Sequence, residues 1–184
     1  GLVYFAHLAK YSENPKRVVS ATKGNHGQSV GFAARRYGIP ATIVVPHGNS
    51  IEKNNAMRSL GVNLLEHGDD FQSAREFAIK MAHENSLKMI PSFDPLLVTG
   101  VATYSLELLK AVKDLDIVYV PIGLGSGICG MLAVRDALKL KTKVVGVVSA
   151  HASSYAKSFT SRRPVESPVN TKIADGMDCR IPEQ

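Results

Sequence analysis

The sequence predicts an α/β protein with two open parallel sheets flanked by helices, and three observations carry that prediction. Short β-branched runs alternate with longer amphipathic ones along most of the chain, the order of βα units around a parallel sheet. Two polar or glycine-rich turns, at residues 22–28 and 123–127, each stand between a predicted strand and a predicted helix. Ligands of open parallel sheets bind beyond the carboxyl ends of strands, next to helix N-termini whose N–H groups lack partners. Third, Pro91-Ser92-Phe93-Asp94-Pro95 is the most turn-rich point between periodic elements and marks the crossing from one sheet to the other.

In chain order, an amphipathic stretch at 2–11 predicts a helix. Strand 17–21 contains the β-branched pair Val18-Val19 and leads through the first turn to helix 28–37. Strand 41–46, helix 50–60, strand 62–67, helix 70–86 and strand 88–93 follow. Gly38 and Gly61 each separate a helix from a strand, which suits the left-handed position at a helix end. Beyond the proline-rich crossing come helix 99–112, strand 116–122, the second turn, helix 128–140 and strand 143–150. After Ala150 the pattern decays to one helix near 153–159 and a polar segment with Pro164 and Pro168.

Composition narrows the function classes. The 184 residues are 45% hydrophobic and 21% charged, the balance of a globular protein rather than a disordered one. The net charge of +6 is spread along the chain without a basic block or interleaved aromatics, so no nucleic-acid partner is expected. No apolar run approaches the roughly 20 residues of a membrane span, and the amino terminus lacks the ordering of a signal peptide. Two cysteines, Cys129 and Cys179, form neither a disulfide framework nor a zinc pattern, and a reducing, cytoplasmic setting is the expectation. His7, His47, His67, His83 and His151 show no metal-ligand spacing.

The two turns carry the chemistry. In the first, Thr22, Asn25, His26 and Gln28 sit where a helix N-terminus can hold an anion; the alternative is that Thr22 or Asn25 only caps the helix. In the second, Gly123-Leu124-Gly125-Ser126-Gly127 lets backbone N–H groups approach a ligand, for which phosphate is the natural occupant. The alternative is that these glycines serve tight strand–helix packing. Gly125-x-Gly127-x-x-Gly130 matches the dinucleotide fingerprint literally, but the next strand, Val144 to Ala150, has no carboxylate for a ribose, and no Gly-Lys-Ser/Thr completes a P-loop.

Thr22-Lys23-Gly24-Asn25-His26-Gly27-Gln28 resembles the Ser-x-Gly-Asn-His-x-Gln motif of the threonine dehydratase and serine racemase family, the fold-type II enzymes that use pyridoxal 5'-phosphate. Residues 123–127 resemble that family's glycine-rich phosphate loop, and Pro91-Ser92-Phe93-Asp94 and Ala174-Asp175-Gly176 fit it as well. The resemblance implies a small α/β domain at 16–94, with 1–15 and 95–184 belonging to an incomplete large cofactor-binding domain. It implies that Asn25 contacts the cofactor's phenolic oxygen, that Gly123, Leu124, Gly125, Ser126 and Gly127 hold its phosphate, and that Thr22, Lys23, Asn25 and His26 line the substrate side. The implied reaction is the deamination of a small hydroxy or β-substituted amino acid, such as threonine or serine, to a keto acid. An amino-acid racemase and a non-catalytic phosphate-ligand or regulatory module are the alternatives. A homodimer is implied too.

Three departures accompany the resemblance. Gly1 matches the last glycine of the family's Ser-x-Lys-x-Arg-Gly segment, so the Schiff-base lysine is expected just before residue 1, and the family's carboxyl-terminal segment has no counterpart in the chain. The carboxylate ligands of the divalent-metal site found in some members fall on Val148 and Ser154, so no metal is expected there. Lys23 stands where serine racemases have the serine that exchanges a proton on the second face, which makes Lys23 a candidate catalytic residue.

Overall fold

The computed structural model describes residues 1–11, 15–171 and 173–183. The chain divides into two compact units, 1–92 and 93–184, each built from alternating strands and helices. Residues 12–14 of the segment 1–15 lie outside the described residues, and so do 172 and 184 of the second unit.

The first unit begins with α1 (Leu2–Lys10), which buries Tyr4, Phe5 and Leu8 along one stripe and packs on α2 (Asn25–Tyr37). Four parallel strands form its sheet in the order β3-β2-β1-β4: β1 (Val18–Ala21), β2 (Ala41–Val45), β3 (Asn63–Glu66) and β4 (Lys88–Met89). The central strand β1 is buried on both faces, so it reads as an unbroken run rather than an alternation. Helices α3 (Ile51–Ser59) and α4 (Phe71–Glu84) complete the unit. Ala74, Ala78 and Ala82, spaced by four on α4, meet Val19 and Ala21 of β1 and Val44 of β2 in one core cluster. Side chains alternate across a strand, so Val18 and Ser20 face the opposite side. Gly38 ends α2 at φ 66° and Gly61 follows α3 at φ 84°, both in the left-handed region.

The second unit contains α5 (Pro95–Ala111), β5 (Ile117–Pro121), α6 (Ser126–Ala137), β6 (Lys143–Val147), α7 (Ser154–Ser161) and a 3₁₀ turn at Asp175–Met177. Strands β5 and β6 pair in parallel, Ile117 opposite Lys143. Leu109 of α5, Val120 of β5 and Met131 of α6 anchor the core. Gly130 lets α6 approach α5, because a Cβ there would stand 3.1 Å from Ala102 Cα. Tyr119 on β5 is 67% exposed, so the two-stranded sheet is covered on only part of its surface.

The element order follows the sequence pattern, while several ends move. Helix α5 starts at Pro95 rather than 99, since Asp94 accepts from Leu96 N–H at 2.7 Å and proline suits the first helical position. Strand β4 ends at Met89 rather than 93. Beyond it the Ile90 N–H still donates to Val19 O, but side chains continue the pairing: Ser20 Oγ donates to Ile90 O and Ser92 Oγ to Ala21 O. Strand β6 stops at Val147 instead of 150, where a turn forms as His151 N–H donates to Ser149 Oγ and Ala152 N–H to Ser149 O.

Candidate functional site

Helices α3, α4 and α5 each begin with a side-chain cap: Ser50 Oγ accepts from Lys53 N–H, Asp70 Oδ1 from Ser73 N–H, and Asp94 Oδ1 from Leu96 N–H. Helices α2 and α6, which follow the two sequence-predicted turns, begin at Gly24 and Gly125 with no side-chain cap among the described residues. Neither first turn contains an acidic residue. Beyond the N-cap residues themselves, the leading N–H groups at the positive end of each helix dipole therefore receive no capping side chain among the described residues.

In the first turn, Thr22 is buried and its Oγ1 accepts from Gly24 N–H at 3.0 Å, folding the chain back at the end of β1. Thr22 N–H meanwhile donates to Val44 O at 3.0 Å, which fastens the turn to β2. Lys23 is half-buried and Asn25 exposed at the first helical position. Lys53 of α3 lies alongside, its Cδ 3.1 Å and its Nζ 3.8 Å from where a Cβ on Gly24 would stand. Gly27 has no room for a side chain: a Cβ would meet Met57 Sδ and stand 2.5 Å from Thr22 Cγ2. His26 is half-buried, with Nε2 2.9 Å from Ser20 Oγ, and burial of the imidazole lowers its pKa to about 4. The imidazole is neutral at physiological pH, so positive charge at this turn comes from lysine and the helix end.

In the second turn, Gly125 holds φ 99°, a backbone state that favours glycine. A Cβ on Gly123 would strike the Gly176 carbonyl oxygen, so this glycine admits the chain's own 174–176 segment. A Cβ on Gly127 would stand 3.3 Å from Tyr104 Oη. Packing and open backbone thus coexist: Gly123 and Gly130 admit neighbouring chain, whereas a Cβ on Gly125 would have, among the described residues, only Phe93 Cε2 within 4 Å, at 3.9 Å. Tyr155 Oη donates to Leu124 O at 2.8 Å and accepts from Glu183 N–H at 3.1 Å. Ser126 is the first residue of α6. A turn whose cradle a side chain would fill, opening on an uncapped helix, fits a phosphate group.

At the remaining predicted positions, Val148 is half-buried and apolar, and buried Ser154 donates its hydroxyl to Cys179 O at 2.6 Å. Cys129 is exposed and Cys179 buried, its thiol directed to Ile181 O. Among the described residues no cluster of three or more His, Cys, Asp or Glu could hold a metal ion, and no helix is long and apolar enough to cross a membrane. Sequence reasoning did not single out Ser20, Lys53 or Tyr155. Ser20 had a signal, as a polar residue inside the buried run Val18-Val19-Ser20-Ala21; the other two act across distances the sequence does not mark.

Comparison with known proteins supplies the relationship. The profile of the family described as "Pyridoxal-phosphate dependent enzyme" matches residues 1–184. The chain is 31% identical over 177 residues to the L-threonine dehydratase catabolic TdcB of Staphylococcus aureus (strain N315), covering 96% of this chain and 51% of that protein. It superposes on the processed form of threonine deaminase isoform 2 from Solanum lycopersicum with a TM-score of 0.84 at 29% identity, over 98% of this chain and 54% of the other. A pyridoxal 5'-phosphate-dependent aspartate racemase superposes with a TM-score of 0.85 at 26% identity, over 96% and 55%. The chain spans about half the length of the relatives it matches. With a family match over its whole length and two phosphate- and carboxylate-compatible turns at strand ends, the chain belongs to the pyridoxal-phosphate-dependent enzymes.

Proposed function

We propose that the whole protein is a pyridoxal 5'-phosphate-dependent lyase that deaminates a small hydroxy or β-substituted amino acid, such as threonine or serine, to a keto acid. The observation that carries this reading is that each unit contains a polar or glycine-rich turn, 22–28 in the first and 123–127 in the second, that follows a parallel strand and opens on a helix without a side-chain cap. The relatives named threonine dehydratase and threonine deaminase support the choice of lyase. When bound, the cofactor's pyridinium ring supplies an electron sink for a carbanion at the substrate α-carbon.

The chain's own residues bind and orient. Gly123, Leu124, Gly125, Ser126 and Gly127 hold the cofactor phosphate by backbone N–H groups at the start of α6, and Asn25 contacts the phenolic oxygen. Thr22, Asn25 and His26 receive the substrate carboxylate, partly through the first N–H groups of α2, while Lys23 adds a cation beside it. His26, kept neutral by burial, leaves the positive charge at this turn to Lys23 and the helix end. In the whole protein, 16–94 form the small domain, and 1–15 with 95–184 belong to the large one. The enzyme works as a cytoplasmic homodimer.

Incubating the full-length protein and pyridoxal 5'-phosphate with L-threonine or L-serine tests the reading. Release of the keto acid and ammonia is the expected result. The aspartate racemase among the structural relatives favours one second reading, and inverted amino acid without keto acid would move the assignment to a racemase. Cofactor binding with neither reaction would move it to a regulatory module.

A further inference from the structure

Tyr155, the second residue of α7, ties three segments of the second unit together. Its single hydroxyl hydrogen has one available destination. Leu124 O, at 2.8 Å, can only accept, and the Glu183 N–H, at 3.1 Å, can only donate. The phenol therefore donates to the turn and accepts from the carboxyl-terminal segment. Burial pushes the phenol up to about 12, against the lowering effect of the Glu183 N–H, so the donor hydrogen stays in place at physiological pH.

The position of Leu124 gives this contact its consequence. A peptide unit is planar and trans, so the C=O of residue 124 and the N–H of residue 125 point in opposite directions from one rigid plane. Holding the Leu124 carbonyl toward Tyr155 turns the Gly125 N–H away from it. Gly125 is the residue at φ 99° where α6 begins. The same carboxyl-terminal segment braces the preceding residue, since the Gly176 carbonyl stands against Gly123 where a Cβ would be. The turn is thus held on one side by a side chain and on the other by main chain.

We propose that Tyr155 is a positioning residue for the phosphate turn: by fixing the Leu124 carbonyl it presets the Gly125 N–H as a phosphate donor. The inference rests on the reading of residues 123–127 as the cofactor-phosphate turn. Preset donors bind more tightly because the ordering cost is met during folding. Tyr155 touches neither substrate nor reacting atoms in this reading, so its loss acts on cofactor affinity first.

The test uses the full-length protein with the conservative substitution Tyr155→Phe, which keeps the ring and removes the hydroxyl. Two readouts separate positioning from general stability. Hydrogen exchange at the Gly125 amide is measured in cofactor-free protein, and the dissociation constant of pyridoxal 5'-phosphate is measured by titration. Loss of one such hydrogen bond predicts about tenfold weaker cofactor binding and faster exchange at Gly125, with KM for the amino acid unchanged at saturating cofactor. Wild-type protein that binds the cofactor, alongside a Tyr155→Phe variant that binds within twofold and exchanges at the same rate, overturns the inference alone. Wild-type protein that does not bind the cofactor overturns the phosphate reading and the inference with it.

Discussion

Ser20 Oγ lies 2.9 Å from His26 Nε2 and 2.8 Å from the Ile90 carbonyl oxygen, at a fully buried position in β1. One hydroxyl hydrogen serves one acceptor, and the carbonyl has no hydrogen of its own to offer. The hydroxyl therefore donates to Ile90 O, and His26 donates its Nε2–H to Ser20. The ring is the Nε2–H tautomer, and Nδ1 keeps its lone pair as an acceptor. Protonating this imidazole would place a cation in a buried setting near the positive end of α2.

This arrangement predicts how stability depends on pH. The folded pKa of His26, about 4, lies below the ordinary value of 6.5, so the unfolded chain binds a proton that the folded chain refuses. Stability is unaffected by this group above pH 6.5 and falls as pH drops from there to about 4, by at most about 3 kcal/mol. Urea titrations of the full-length protein at pH 7 and pH 4.5, beside His26→Gln, check this. The wild type should lose more stability over that interval than the variant, and equal losses would show that His26 titrates normally.

Gly125 presents a different kind of constraint from Gly123. At φ 99° the penalty for a side chain lies in the backbone, since the nearest atom to an added Cβ would be 3.9 Å away. Gly125→Val forces the turn to relax and moves the N–H groups that open α6. Cofactor affinity is expected to fall at least tenfold, about 1.4 kcal/mol or more, while the far-ultraviolet circular dichroism stays the same. Unchanged affinity would remove residues 123–127 from the phosphate site.

Ser154 donates to Cys179 O at 2.6 Å, and Val148 is apolar, so the two positions where the family resemblance implies carboxylate ligands carry no ligand charge. A hard divalent cation takes six or more oxygen donors, commonly carboxylates. Activity of the full-length enzyme is therefore expected to survive prolonged chelation, with kcat within twofold of the untreated enzyme. A loss restored by Mg²⁺ or Ca²⁺ but not by K⁺ would identify a metal site built from other residues.

Hydrophobic periodicity made the strands and helices legible because it follows from which face each element buries. Helix starts were less legible. The sequence pattern places the starts of α2, α5 and α6 at 28, 99 and 128, whereas the helices begin two to four residues earlier, at Asn25, Pro95 and Ser126, directly after Gly24, Asp94 and Gly125. Both glycine-containing turns could be read directly, since polar or glycine residues between a strand and a helix have few structural uses there. The partners that shape the turns could not. Ser20 reaches Ile90 and Tyr155 reaches Leu124 across 70 and 31 positions of sequence, and although a polar residue in a buried run calls for a partner, nothing local says which residue that is. Lys53 approaches Gly24 from α3 only because β1 and β2 are neighbours in the sheet.

Lys23 offers the most discriminating substitution. It is half-buried, directly precedes Gly24 at the N-terminus of α2, and follows Thr22, whose hydroxyl oxygen is committed to the Gly24 N–H. A cation in that place would neutralise a substrate carboxylate, adding to the helix dipole, or would exchange a proton with substrate on the face it occupies. The two roles separate kinetically. Loss of carboxylate binding raises KM, whereas loss of proton exchange lowers kcat and leaves KM in place. Lys23→Ala in the full-length enzyme is expected to reduce kcat/KM for threonine or serine by about tenfold or more, or to shift preference between them, with the visible absorption of the bound cofactor retained. Lys23→Arg should restore the first role, because it keeps the charge, and not the second, because a guanidinium does not release a proton near neutrality. Kinetics unaltered by Lys23→Ala would return this lysine to the protein surface. Disappearance of the cofactor's visible band would instead make Lys23 the residue that holds the cofactor covalently.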